Sequence, residues 1–346
     1  MKNYKVVGID LAKKKYHIAA LDGEGHVSFK KKMLRKDFFE QVVMLFPDKE
    51  TFAMEACGGC HYVGQQLRAL GHEVVLLKAK DVKPYAKARQ KNDLNDAIGI
   101  CKAACDPELK PVTLKTPEQQ RVAYLHKCRQ NGIQQRIQRS NALITSLYEF
   151  GFVVECGKSK FAQSCKTYVE EAFTLGYIEA DIKKEMLKDC QEIKNLLIRE
   201  KQLDLAVIAR NKRNPTAQLL ETIPGIGPIN ASILSNKPMS SYERPRDFAA
   251  SLGLVPRQNT TGGTIKLGSI TKQGDRYART MLIQAGRSVV MRHSKPNVPD
   301  NALYKFVERL KKAGKGYNVI CVAVANKLAR VAYACAMSQE AFRVIG

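Results

Sequence analysis

The first 112 residues alternate short apolar runs with amphipathic stretches. Five apolar runs have the length of strands: 5–10, 16–22, 26–32, 51–56 and 73–79. Three stretches place apolar residues at helical spacing: 36–46, 61–71 and roughly 81–106. The first three runs are separated only by short polar turns, so they predict neighbouring antiparallel strands. The resulting βββαβαβα order predicts an α/β domain with a mixed sheet over residues 1–112.

The next hundred residues, 113–212, have the pattern of long helices. Residues 117–150 and 177–211 carry apolar residues at helical intervals and contain no interior proline. A connector rich in Gly and Phe joins them, which predicts an antiparallel helical hairpin or coiled coil. An ordinary helical core is the alternative. Few aromatics occur in the second helix, which favours an apolar seam that needs a partner and therefore an oligomer.

The third region, 213–346, predicts a mostly α-helical domain. It begins with the turn sequence IPGIGP and continues through a loop-rich, basic stretch at 253–276. Helical patterns follow near 277–292, 301–313 and 317–338. We find no stretch approaching the ~18–20 apolar residues of a membrane span, and the N-terminus has no signal-peptide pattern. We therefore expect a cytoplasmic protein without a membrane partner.

The charge balance indicates a polyanionic partner. The chain has 57 Lys and Arg against 33 Asp and Glu, a formal net charge of +24. Charge of this sign and size is typical of nucleic-acid binding, although a surplus that only aids solubility is the alternative. The ten cysteines are expected to be mostly small buried thiols. The C-x-x-C of residues 57–60 lacks the second ligand pair that a zinc site needs.

Four carboxylates stand out in the first domain. Asp10 ends the first strand, and Glu55 lies near the end of the fourth. Asp93 and Asp96 are three residues apart, on one face of a helix. Strand ends in an α/β sheet lie at the edge where ligands bind. Clustered acids repel unless a cation neutralises them, and Mg²⁺ or Mn²⁺ prefers such oxygen ligands. Taken singly, each acid can instead cap a turn or face solvent.

The same segments carry a family resemblance. The motifs are VVGIDLAKKKYHIA, MEACGG, ARQKNDLNDA, PVTLKTPEQQ, IPGIGPINASIL and PRQNTTGG. In this order they resemble the DEDD transposases of the insertion sequence 110 family, especially the subgroup named after insertion sequence 1111. Piv-type DNA invertases form a related branch. The resemblance covers nearly the whole chain. It implies a RuvC-like (RNase H-like) nuclease domain at the N-terminus and a transposase domain at the C-terminus.

The resemblance also implies a mechanism and partners. Asp10, Glu55, Asp93 and Asp96 would hold the metal ions, and a hydroxyl would attack DNA and stay covalently attached. The position of the family serine is occupied by Thr261, with Thr260 and Ser269 as the alternatives. Family members assemble as tetramers, a dimer of dimers. They use a structured bridge RNA that pairs with donor and target DNA.

Further residues are predicted to contact nucleic acid. IPGIGP resembles a helix-hairpin-helix turn, in which Gly225 and Gly227 would let backbone N–H groups approach a phosphate; a plain tight turn is the alternative. The basic residues expected at phosphates are Lys13, Lys14, Lys15, Arg257, Lys266, Lys272, Arg276 and Arg279, with the run Lys30–Lys32 also suited. A solvated basic face is the alternative for these side chains.

Three functions compete at this stage. The leading hypothesis is an RNA-guided DNA transposase or recombinase. The second is a RuvC-like Holliday-junction nuclease that cuts by water attack, or a DNA invertase without RNA guidance. The third is a binding scaffold that has lost strand exchange, against which the four retained acids argue.

Overall fold

The computed structural model describes residues 4–86, 92–154, 157, 160–261, 264–297 and 301–343. The chain divides into two compact units, Met1–Gln120 and Arg121–Gly346. The finer division into three regions, with boundaries at 112 and 212, stays a prediction.

A five-stranded mixed sheet forms the centre of the first unit. Its strands β1 to β5 span Val6–Leu11, Lys15–Leu21, Val27–Leu34, Thr51–Glu55 and Glu73–Leu77. They lie in the order β3-β2-β1-β4-β5. The pairs β1–β2 and β2–β3 are antiparallel, whereas β4 runs parallel to both β1 and β5. The predicted mixed sheet is therefore confirmed.

Helices cover both faces of this sheet. They are α1 Phe38–Leu45, α2 Cys60–Ala69, α3 Ala79–Val82 and α4 Asp93–Ala104. Side chains alternate between faces along a strand. Val7 and Ile9 of β1 accordingly join the core of α1 and α2, while Val6 joins the core of α4.

Strand β1 and helix α4 approach each other unusually closely at Gly8. A Cβ atom on Gly8 would lie 2.4 Å from the carbonyl oxygen of Ala97 and 2.6 Å from Sγ of Cys101. The Gly8 N–H donates to Sγ of Cys101 at 3.0 Å, and the thiol donates to the carbonyl of Ala19 at 3.3 Å. Burial raises the pKa of Cys101 to about 12, so the thiol keeps the proton that it donates. This contact fixes α4 across β1 and β2.

Long helices begin the second unit. They are α5 Pro117–Glu149, which starts in the first unit, α6 Phe161–Thr174 and α7 Ala180–Asn211. Ion pairs link the two long helices at three levels: Arg129 with Asp204, Arg136 with Glu200, and Arg139 with Asp189 and Glu192. Residue numbers rise along α5 as they fall along α7, so the helices run antiparallel here. The connector contains the additional helix α6, and the coiled coil stays a prediction.

The remainder of the second unit is mostly α-helical. Its helices α8 to α13 span Pro215–Glu221, Pro228–Ser235, Pro245–Ser251, Arg276–His293, Ala302–Lys312 and Tyr317–Ser338. The expectation of a loop-rich stretch at 253–276 is wrong, because β6 Pro256–Thr261 and β7 Thr264–Ile270 form an antiparallel hairpin there. The sequence gives little sign of this hairpin because β6 is polar after Pro256. In β7 the two alternating apolar residues, Ile265 and Leu267, are exposed rather than part of a core.

Helix α13 corrects the expectation that no stretch is long and apolar enough to cross a membrane. Among the described helices it is the one that meets those criteria, although 56% of its most apolar window is buried within the protein. Ile320, Val324 and Leu328 pack in the core of the second unit. A buried core helix has the same composition, so α13 gives only weak support for a membrane span.

The close approach of β1 and α4 at Gly8 predicts that a larger residue at this position lowers stability. Gly8→Ala should destabilise the first unit by about 1–3 kcal/mol or more, because the added methyl group meets helix backbone that cannot move cheaply. The measurement is urea unfolding. Gly23→Ala is the matched control, since a Cβ at Gly23 meets nothing within 4 Å. Equal unfolding midpoints for the two variants would contradict the close approach of β1 and α4.

Candidate active site

Two of the predicted acids lie at the carboxyl ends of adjacent parallel strands. Ile9 of β1 pairs with Met54 of β4, so Asp10 and Glu55 follow at the same level of the sheet. The residues two positions earlier, Gly8 and Ala53, lie on the face that α4 covers. Because every second residue shares a face, Asp10 and Glu55 point toward α4.

Helix α4 supplies the other two acids in its first turn. The side chain of Asn92 caps the helix by accepting from the N–H of Leu94 at 3.1 Å. Asp93 and Asp96 therefore sit at the positive end of the helix dipole, which favours carboxylates. The structure brings all four predicted acids into one cluster at this edge of the sheet, because α4 crosses directly above the end of β1.

Burial and charge repulsion both change the pKa values of Asp10 and Glu55, the two half-buried acids of the sheet. Burial raises the pKa of Asp10, and the carboxylates of Asp96 and Asp93 raise it further, while His17 opposes the shift. Burial also raises the pKa of Glu55, with added contributions from Asp10 and Asp96. Burial and the neighbouring carboxylates therefore both disfavour the charged forms of Asp10 and Glu55.

His17 is a further member of the cluster, and the pattern of acids along the sequence does not point to it. It is 5% exposed and lies directly opposite Asp10 in the β1–β2 pair. Its Nδ1 is 3.9 Å from Oδ2 of Asp10 and 3.4 Å from Oδ2 of Asp93. The signal in the sequence was the short β1–β2 connection, because opposed residues in an antiparallel pair project from the same face. The neighbouring Tyr16 does lie in the core, against Phe38.

The donor set fits a divalent cation. Carboxylate oxygens of Asp10 and Asp93 and the imidazole nitrogen of His17 lie within 4.8 Å of one another. Among the described residues, Nδ1 of His17 is buried and has no hydrogen-bond partner. An unsatisfied buried nitrogen beside mutually repelling carboxylates is what a bound cation would relieve. The C-x-x-C sequence forms no such group within the described part of the chain, and Cys57 is exposed while Cys60 is buried.

Basic residues of the first unit are accessible. Lys13 and Lys14 are exposed in the turn between β1 and β2, and Lys15 is exposed at the start of β2. All three follow Asp10 within a few residues. The run Lys30–Lys32 is exposed on β3, the edge strand of the sheet. Lysines on an edge also discourage pairing with other sheets, so this run has a structural explanation as well.

Basic residues of the second unit differ in accessibility. Four of them are exposed on or beside the β6–β7 hairpin: Arg257, Lys266, Lys272 and Arg276. Arg279 is 8% exposed, and its guanidinium donates to the carbonyl groups of Leu252 and Gln273 at 3.0 and 2.8 Å. The structure thus places Arg279 inside the second unit, where it ties the hairpin's flanks together, and its guanidinium is already committed.

The nucleophile candidates lie on the same hairpin. Thr260 is exposed on β6 and Ser269 is exposed on β7. Thr261 is the last residue of β6, and its backbone pairs with Thr264. Its assignment stays a prediction.

The glycines of the IPGIGP turn differ in their surroundings. Gly225 has φ of +88°, and a Cβ there would lie 2.4 Å from Cγ2 of Val289 in α11. Gly227 has open space around it. Backbone conformation and packing therefore explain Gly225, and phosphate contact at either glycine stays a prediction.

An acidic cluster at the carboxyl ends of a mixed sheet is consistent with a DEDD nuclease-like domain. Comparison with known families agrees with this class. Residues 7–151 match a family of DEDD transposases of the IS110 type, described as "Transposase". Residues 217–302 match the "Transposase IS116/IS110/IS902 family".

Individual relatives match along nearly their whole length. A "Probable family 20 transposase" of Pseudomonas aeruginosa is 35% identical over 349 residues, covering 99% of each chain. The "Transposase for insertion sequence element IS1328" of Yersinia enterocolitica is 33% identical, covering 96% of this chain and 97% of that one. The "Transposase for insertion sequence element IS1111A" of Coxiella burnetii is 30% identical, covering 99% and 92%. The chain therefore belongs to the IS110 family of transposases, and membership implies DNA binding.

The raised pKa values predict how the metal-free protein responds to pH. Asp10 and Glu55 have pKa values above the ordinary 3.8 and 4.5. The folded state therefore binds protons more readily than the unfolded state, and stability falls as pH rises from about 4 through the raised pKa values. Asp10→Asn and Glu55→Gln should raise the melting temperature of the metal-free protein at neutral pH and flatten this dependence.

Thermal melting across pH in the presence of a chelator measures this effect. Glu40→Gln is the control. Glu40 is exposed on α1, so this substitution removes a carboxylate of the same unit that lies outside the cluster. If both cluster variants melt below the wild type at neutral pH while the control is unchanged, the proposed repulsion is contradicted.

Proposed function

We propose that this protein is an RNA-guided DNA transposase that cleaves and exchanges strands through a covalent protein–DNA intermediate. The observation that carries the proposal is the convergence of Asp10, Glu55, Asp93 and Asp96 at one sheet edge in a chain of the IS110 family. A transposase acts on DNA, so we expect it to work in the cytoplasm.

The four acids are proposed to hold Mg²⁺ or Mn²⁺. A bound divalent cation at such a site supplies Lewis-acid stabilisation of the charge that develops on a reacting phosphodiester. The residues themselves provide fixed oxygen donors: two come from strand ends and two from the capped first turn of α4. This rigid support keeps the donors in place despite their repulsion. Lys13, Lys14 and Lys15 are exposed nearby and are suited to hold the DNA backbone beside the acids.

A hydroxyl group of the β6–β7 hairpin is the proposed nucleophile, with Thr261 as the first candidate. Its oxygen forms a new ester bond to phosphorus while the bond from phosphorus to a deoxyribose oxygen breaks. The hydroxyl proton is lost, and the departing oxygen gains one. The number of phosphodiester bonds is unchanged, so a deoxyribose hydroxyl can later reverse the exchange without ATP. The exposed Arg257 and Lys266 on the same hairpin are suited to contact DNA phosphates.

RNA guidance and tetramer formation are carried over from the family resemblance. The formal charge of +24 supports binding of a polyanion, which both a guide RNA and DNA are. Exposed apolar side chains on α5 and α7, among them Ile137, Ile198 and Leu205, offer a surface for association with a second copy of the chain. Treating the purified protein with ribonuclease before a recombination assay separates a guided reaction from an unguided one.

One observation favours a second function. No serine lies between Ser251 and Ser269, and the methyl group of a threonine crowds the line of attack. A RuvC-like junction nuclease needs no protein hydroxyl, because water attacks the phosphate. The same four acids serve that reaction, so the covalent intermediate distinguishes the two functions.

The first functional prediction concerns the loss of recombination when one of the four acids is neutralised. Asp10→Asn, Glu55→Gln, Asp93→Asn and Asp96→Asn should each lower divalent-cation-dependent recombination by about a hundredfold or more, at least the loss typical of altering a metal site's outer partners. Folding should be preserved, since each change removes repulsion. Recombination of a donor plasmid measures the loss, and Glu40→Gln serves as the control. Normal recombination by the Asp10 and Glu55 variants would overturn the assignment of the site.

The second functional prediction concerns formation of the protein–DNA adduct by variants of Thr261. Thr261→Ser should keep or raise formation of the protein–DNA adduct, because the hydroxyl remains and the methyl group is removed. Thr261→Val should abolish the adduct, because the shape is kept and the oxygen is lost. Trapping on a nicked DNA substrate, followed by mapping of the modified peptide, reads the attachment site.

Thr260→Val and Ser269→Ala are the matched controls for this test, and both should retain the adduct. An adduct mapped to Thr260 or Ser269 would move the nucleophile along the hairpin. Recombination or cleavage without any adduct would favour the nuclease that uses water.

A further inference from the structure

The imidazole of His17 lies buried at the acidic cluster with one ring nitrogen that has no hydrogen-bond partner among the described residues. The residue is 5% exposed, and that nitrogen is Nδ1. A buried polar atom left unpaired costs free energy, so native structures nearly always satisfy such atoms. Nδ1 points at the carboxylates of Asp10 and Asp93, yet neither contact has hydrogen-bond geometry. Nδ1 therefore faces the acidic cluster without a direct hydrogen bond to it.

The spacing of these atoms suits a shared cation. Two donors that each lie ~2.1 Å from one small divalent cation can be at most ~4.2 Å apart. Nδ1 of His17 is 3.9 Å from Oδ2 of Asp10 and 3.4 Å from Oδ2 of Asp93. Both separations fall within that limit, and they exceed the usual length of a direct hydrogen bond.

We propose that His17 is a direct nitrogen ligand of the divalent cation, completing a site with Asp10 and Asp93 that favours Mn²⁺ over Mg²⁺. The proposal rests on the proposed function, because it adds a ligand to the cation site of the four acids. The preference for Mn²⁺ follows from the ligand atoms that the two ions favour. Mg²⁺ strongly prefers oxygen and retains its waters, whereas imidazole suits transition metals, which bind nitrogen more tightly.

The fold explains how one nitrogen is delivered to an otherwise carboxylate site. His17 lies on β2 opposite Asp10, and Asp93 reaches the pair from the first turn of α4. Three elements thus contribute one donor each. The backbone of β2 is paired on both sides, by β1 and β3, and the burial of His17 limits the space in which its imidazole can move.

The alternative role for His17 is to position Asp10 or Asp93 through a hydrogen bond. That role predicts a change in carboxylate arrangement but no bond between nitrogen and metal. The two roles differ in a spectroscopic signature that activity measurements cannot give.

The test uses the full-length protein loaded with Mn²⁺. Pulsed electron paramagnetic resonance should show coupling between Mn²⁺ and a histidine nitrogen in the wild-type protein. Incorporation of ¹⁵N-histidine should change that coupling from the ¹⁴N to the ¹⁵N pattern, without any substitution. His17→Gln should remove it and weaken Mn²⁺ binding by about tenfold or more, with a smaller loss for Mg²⁺.

Two controls make the result specific. His72→Gln changes another buried histidine of the same unit, one that accepts from the N–H of Glu50, and should leave the coupling intact. Asp10→Asn should abolish tight Mn²⁺ binding, which tests the cation site itself. Because the isotope experiment uses unsubstituted protein, it decides the question even if His17→Gln does not fold.

The outcomes separate failure of this inference from failure of the proposed function. Loss of Mn²⁺ in Asp10→Asn, with no histidine coupling in the wild-type protein, would overturn ligation by His17 and leave the acidic site standing. Mn²⁺ binding that is absent, or indifferent to Asp10→Asn, would overturn both. Coupling that survives His17→Gln would assign the nitrogen to a different histidine and overturn the inference.

Discussion

The absence of a side chain at Gly8 is the constraint on which the first unit's site depends. Because no Cβ separates β1 from α4, the helix lies directly on the strand, and the Cys101 thiol joins the backbone of β1 to that of β2. The helix is fixed two turns beyond its N-terminus, so its first turn is held over the carboxyl end of β1. Asp93 and Asp96 reach Asp10 as a consequence of this packing rather than through any attraction among the acids themselves.

The four acids repel one another, so the fold holds them together against their own charge. Burial and mutual repulsion raise the pKa values of Asp10 and Glu55. The helix dipole and the Asn92 cap favour acids in the first turn of α4, and they offset part of that cost. The rest of this free-energy cost is offset by the pairing of the sheet and the packing of the buried core. Such an arrangement is poor for stability and well suited to binding a cation, since the donors are in place before the cation arrives.

The sequence predicted the parts of this site that depend on local pattern. Strand ends and the i, i+3 spacing located Asp10, Glu55, Asp93 and Asp96 without any knowledge of packing. His17 required the pairing partner of Asp10, and pairing follows from the β1–β2 register. The β6–β7 hairpin was not predicted because its strands bury little, and the short alternation of Ile265 and Leu267 is a weak signal without a core behind it. Arg279 was assigned to DNA by its neighbours in the chain, whereas the fold turns it inward onto carbonyl groups.

Arg279 also shows why net charge overstates the surface available to nucleic acid. Arg129 and Arg136 are paired with Asp204 and Glu200 between α5 and α7, so these guanidinium groups hold the second unit together. A planar guanidinium with several donors can satisfy buried acceptors in fixed directions, which an ammonium group does less well. The exposed run Lys13–Lys15 forms no such ion pair with the residues that the structure describes, and it follows Asp10 within a few positions of the chain. The lysines near the cluster are therefore better candidates for phosphate contact than the arginines that contribute equally to the charge of +24.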